Sequence, residues 1–268
     1  MRLWWIEWQK NRKNRIVWIM LALMFIALPG MVFIGNELKD MPAPFPGKEM
    51  VVSFPHVWDF LAYNGSWQSF FFLGFLAIYL ITSEFNYGTV KQNVIQGHSR
   101  KSFFTGKLLF IGSIIGVTFL YYLVLGLTSG FIQTESLSDA QIWGEEGIIG
   151  RYLLMTIGYC SFAILVAFLF RKTGPALLFY FAYILFLEPV WRWLMHRRLF
   201  DGNSQFFYPM NAMEDLCPLP LYKMVPDFMN IEQTGIYILS PSEAIWTVSI
   251  YTCAFLALAY VIFMRRDV

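Results

Sequence analysis

The chain has 268 residues, 57% of them hydrophobic and 19% aromatic against only 14% charged, with a mean hydropathy of +0.51. That balance excludes a water-soluble globular protein and belongs to an all-α membrane protein. The net charge of +2 gives no bulk electrostatic case for binding nucleic acid, so what matters is where the basic residues sit.

Residues 1–15 place Met1, Trp4, Trp5 and Trp8 at helical spacing, with Glu7, Lys10, Arg12, Lys13 and Arg15 mostly elsewhere around the helix. This pattern predicts an amphipathic helix lying in the membrane interface, with Trp4, Trp5 and Trp8 as anchors at headgroup depth. Residues 16–35 follow as a first membrane span, since about 20 residues at 1.5 Å each match the roughly 30 Å of hydrocarbon. Residues 36–63 contain Pro42, Pro44, Pro46 and Pro55 among mixed charges and predict a loop.

Further spans are predicted at residues 67–82, 108–132, 152–170, 175–194 and 244–264, making one transmembrane domain of six helices over residues 1–268. Of the 20 Lys and Arg residues, 13 fall on one side: Arg2, Lys10, Arg12, Lys13, Arg15, Lys91, Arg100, Lys101, Lys107, Arg171, Lys172, Arg265 and Arg266. The positive-inside rule makes that side cytoplasmic and, with six spans, puts both termini there. The fifth span has an apolar run of only 13 residues before Glu188 and Pro189. Either it kinks at Pro189, or it ends early and the following segment re-enters or lies on the surface. Glu188 and Arg192 are spaced i,i+4 and are expected to neutralise one another, as candidate residues of a pathway or re-entrant segment. Residues 201–243, with five prolines among aromatics, predict a second external stretch.

The chemistry of several membrane enzymes has no counterpart in the chain. There is no G-x-S-x-G elbow, no H-E-x-x-H helix, and no phosphate-binding loop, because Gly106-Lys107 lacks the upstream glycine and is followed by Leu108. Cys160, Cys217 and Cys253 are not at metal-ligand spacing. The expectation is a chain with no catalytic site, metal or bound cofactor of its own. Apart from Glu188 the spans hold essentially no Asp, Glu or His, which weakens an ion-coupled carrier.

Between the second and third spans lies a polar, basic island at residues 83–107. Thr89 is placed to cap a short helix with Val90 and Val94 on one face, Gly97 to end it in the left-handed conformation, and Ser99 or Ser102 to cap the next helix. In order, Glu84-Phe85-Asn86-Tyr87-Gly88-Thr89-Val90, then Gly97-His98-Ser99-Arg100, then Gly106-Lys107 entering the next span, resemble the same segment of type-2 ABC exporter permeases. The resemblance implies a cytoplasmic coupling loop at residues 84–101 that docks on a separate ATP-binding cassette subunit carrying ATP and Mg. Its contact residues would be Glu84, Phe85, Tyr87, Gly88, Thr89, Val90, Lys91, Val94, Gly97 and Arg100. It further implies a second copy of the chain or a related permease, a bacterial cytoplasmic membrane, and outward movement of a cargo that the aromatic-rich spans suggest is amphipathic or lipid-like. A membrane anchor or sensor that recruits a cytoplasmic partner is the alternative from another class.

Overall fold

A computed structural model describes residues 2–37, 52–95, 97, 99–134, 142–143, 147–200, 203–224 and 237–266. Among them the chain is helical with no strand, and six helices are long and apolar enough to cross a membrane. The N-terminal helix α1 (Arg2–Asn11) precedes the first span, α2 (Arg15–Glu37). The other spans are α3 (His56–Asn86), α5 (Arg100–Gln133), α6 (Ile148–Phe170), α7 (Thr173–His196) and α9 (Pro241–Arg265). Two short helices, α4 (Thr89–Ile95) and α8 (Pro209–Leu216), sit between spans at opposite ends of the bundle.

The spans outrun their apolar runs. Residues 56–63, expected in a loop, are the first turns of α3, whose 31 residues reach about 46 Å at 1.5 Å each. Similarly α5 starts at Arg100 rather than residue 108, because the Ser99 hydroxyl accepts from the Ser102 amide and supplies the cap. Hydropathy marks where a helix meets hydrocarbon, and the helix continues into polar surroundings until a cap or breaker stops it. The fifth span also runs on to His196 through Pro189, with π-helical turns at Tyr183–Leu187 and Trp191–His196 on either side of it. Such turns absorb the hydrogen bond that proline cannot make.

Helices α3 and α6 form the interior and the other spans surround them. Their contact is filled by large rings: Trp58, Tyr122, Tyr152, Tyr159 and Tyr180 are fully buried. Each phenol in an apolar core needs a partner. Tyr122 donates to the Trp58 carbonyl at 3.2 Å and Tyr180 to the Phe70 carbonyl at 3.1 Å, while the Trp58 indole N–H reaches the Ile142 carbonyl. Close packing of these rings requires glycine opposite them: a Cβ at Gly126 would lie 2.3 Å from the Trp58 ring.

Gly126→Ala should therefore destabilise the protein by about 1–3 kcal/mol through overpacking. On the same helix Gly116, whose added Cβ meets nothing within 4 Å, should accept alanine with no loss. Thermal unfolding of the two purified variants compares them, and equal midpoints would contradict the packing described.

Candidate partner-coupling site

The helix ends on the α4 side of the bundle are held by a buried charge cluster. Lys107 lies two turns inside α5 and is only 1% exposed. Its Nζ is 2.6 Å from Glu7 Oε2 on α1 and 2.5 Å from Glu84 Oε1 in the last turn of α3. Lys10 closes the set at 3.1 Å from Glu7 and 3.3 Å from Glu84. Two ammoniums and two carboxylates alternate, so the cluster is neutral, as buried charges must be. Burial opposes the charge on Lys10, yet the carboxylates of Glu7 and Glu84 prevail and hold its pKa above the ordinary value.

Helix α4 grows from this cluster. After Glu84 the chain turns at Gly88, whose φ of +68° suits glycine, and Thr89 opens the helix. The Thr89 hydroxyl donates to the Glu84 carbonyl at 3.1 Å and to its carboxylate at 3.2 Å, rather than capping α4 as expected. Gly97 is left-handed at φ +88°, as its position after the helix requires. Val90 is buried, so it faces the protein rather than outward. The outward face carries Tyr87, 77% exposed, with Lys91, Gln92 and Ile95, 85% exposed. The side chain of Val94 lies outside the described residues.

Other residues expected at a partner surface are turned inward. Glu84 is buried in the charge cluster. Phe85 packs edge-on against Phe168 of α6 and Phe263 of α9, with the Arg171 guanidinium 5.2 Å from its ring centre. Arg100 donates to the carbonyls of Met264 and Arg266 at 3.0 and 2.9 Å, closing the C-terminus of α9 where a cation is favoured. These residues carry hydrogen-bonding or aromatic groups that the bundle itself consumes, which spacing alone does not reveal.

Of the three tryptophan anchors, only Trp5 is exposed. Trp4 and Trp8 stack on one another and pack on the core, and the Trp4 indole donates to Ser113 of α5 at 2.9 Å. The amphipathic face of α1 therefore packs largely on the protein. Glu7 and Lys107 were not singled out by sequence reasoning. The available signal was a lysine beyond the loop, flanked by Phe103, Phe104 and Leu108 at membrane depth, where an ionisable group needs a counter-ion.

At the opposite end, Glu188 and Arg192 do not pair with one another as expected. Glu188 Oε1 accepts from the amides of Met210 and Asn211 at 2.8 and 2.9 Å, at the N-terminus of α8, where a helix favours an anion. The Arg192 guanidinium donates to Asn211 Oδ1. Both side chains thus fasten α8 to the fifth span. Glu188 takes backbone amides, not Arg192, as its partners.

The model of the family described as ABC-2 family transporter protein matches residues 1–268, so the chain belongs to that family. It is a multi-pass permease subunit of an ABC transporter, a type that works with an ATP-binding cassette subunit. No curated protein matches it.

Lys107→Met should cost about 3–5 kcal/mol, because it leaves two buried carboxylates facing a single Lys10. Adding Glu84→Gln restores neutrality and should recover part of that loss. Denaturant or thermal unfolding in nanodiscs measures both, and a double variant no more stable than Lys107→Met alone would show that charge balance is not what the cluster provides.

Proposed function

We propose that this permease subunit moves an amphipathic or lipid-like substrate outward across the bacterial cytoplasmic membrane, and that α4 is where the ATP-hydrolysing partner docks. The partner carries ATP and Mg, this chain binds neither, and both termini lie on the cytoplasmic side with the partner. A second copy of the chain or a related permease completes the pathway, and lipid surrounds the outer spans.

One observation carries this reading. A seven-residue helix and the turn before it present Tyr87 and Ile95 to the outside beyond the ends of the spans, while their roots are fixed in a buried ionic cluster. Exposed apolar side chains on a short, rigid helix suit insertion into a partner's groove. Glu84 precedes α4 and Lys107 follows it, so a displacement of α4 is handed directly to α3 and α5 as a rigid-body shift. Through Glu7 the same displacement reaches α1.

The test separates docking from folding. Tyr87→Ala combined with Ile95→Ala should weaken association with the ATPase by about 10–100-fold and leave the unfolding midpoint unchanged. Val90→Ala should do the opposite, costing about 1–3 kcal/mol of stability through the buried side chain while the folded fraction still binds. Undiminished co-purification and transport in the Tyr87/Ile95 variant would remove α4 from the interface.

A further inference from the structure

A cavity of about 320 Å³ lies where α3, α6 and α7 meet the segment around α8, at the end of the bundle opposite α4. That size falls in the range of small-molecule sites. Its walls divide by chemistry. Trp67 and Phe70 of α3 and Trp193 of α7 present aromatic surface from the spans, and Tyr159 of α6 contributes a buried phenol. Phe206 and Tyr237, tilted against each other with ring centres 4.8 Å apart, add rings from the segments flanking α8 and α9. The polar wall is Glu214 and Asp215 on α8 together with Arg192.

Among the described residues the single cation of that wall, Arg192, is already engaged. Arg192 donates to Asn211 and lies over the Phe206 ring at 5.9 Å. Asp215 is likewise committed, accepting from Asn211 Nδ2 at 2.9 Å and from the Leu239 amide at 3.1 Å. Glu214 differs, since its side chain is open to the cavity and makes no ion pair among the described residues. Among the described lining residues, two carboxyls face one guanidinium. Burial pushes Asp215 up to about 7 and also raises Glu214, while Arg192 pulls both back down.

We infer that this cavity binds an amphiphile with an ammonium head, the head held between Glu214 and the surrounding rings and the apolar tail laid along Trp67 and Phe70. Carboxylate and aromatic faces together are what recognises an ammonium group, through charge and through the ring quadrupoles. The inference places a specific head-group chemistry within the amphipathic cargo class of the proposed function and rests on that reading for its relevance to transport.

The experiment uses the permease assembled with its ATPase in phosphatidylglycerol nanodiscs, with octyltrimethylammonium as probe and octyl sulfate as the anionic counterpart, in equilibrium dialysis against empty nanodiscs. Saturable binding of one octyltrimethylammonium per chain is expected, with no saturable binding of octyl sulfate. Glu214→Gln should weaken the ammonium by about tenfold or more, and Trp193→Ala should also weaken it. Glu214→Lys should reverse the preference toward octyl sulfate, while Trp246→Ala, an exposed position on α9, should leave binding unchanged. Uptake equal to that of empty nanodiscs, or equal binding by wild type and Glu214→Gln, overturns the site. ATP hydrolysis in the same samples tells the two readings apart. Coupled hydrolysis without binding overturns the cavity alone, and binding without any association with the ATPase overturns the docking role of α4 alone.

Discussion

The half of the structure around α4 depends on neutralising Lys107. An ammonium two turns inside a spanning helix cannot reach bulk water, and leaving it unpaired costs several kcal/mol. No residue of its own helix supplies the counter-charge. Glu7 and Glu84 come from α1 and α3, which obliges α1 to lie along α5 and the end of α3 to approach it. The second carboxylate then requires a second cation, and Lys10 provides it from the helix that already carries Glu7. Once these four groups are placed, Thr89 finds the Glu84 carboxylate within reach and the orientation of α4 follows.

The opposite end of the bundle solves a similar problem by different means. Glu188 sits in the fifth span with no basic residue bonded to it, and backbone amides of α8 take the place of a counter-ion. Pro209 at the first position of α8 gives up no hydrogen bond, since the amides of a first turn have no partner within the helix. The apolar face of α8, with Met210, Ala212, Met213 and Leu216, is buried and packs on α6 and α9. Because Asp215 also accepts from Leu239, two residues before α9 begins, one short helix fixes that end of three spans relative to each other.

The number of spans, the helical class and a short helix between the second and third spans were legible in the sequence, because apolar length and glycine or serine punctuation act locally. The left-handed Gly97 and the Ser99 cap belong to that local layer. What the sequence hid was direction. Val90 and Tyr87 are three residues apart, and a seven-residue helix has too few turns for periodicity to say which of them faces the bundle. Arg100 looked like an ordinary positive-inside residue, and its use on the carbonyls of Met264 and Arg266 depends on a helix 164 residues away. Glu188 and Arg192 had the spacing of an ion pair, but α8 offered each a partner that no local rule contains.

An ionic cluster is a costly way to hold helices together, and apolar side chains of equal volume often pack as stably. The difference lies in register. Apolar side chains in a lipid-embedded bundle find comparable contacts after an axial slip, since neither lipid nor neighbour penalises it strongly. A lysine seated between two carboxylates from different helices does not. A slip of one turn, about 5.4 Å, would separate Lys107 from Glu7 or Glu84 and leave charge unpaired in a medium that screens it poorly. A neutral cluster with a single charge-matched register therefore fixes the axial positions of α1, α3 and α5 where apolar packing would yield.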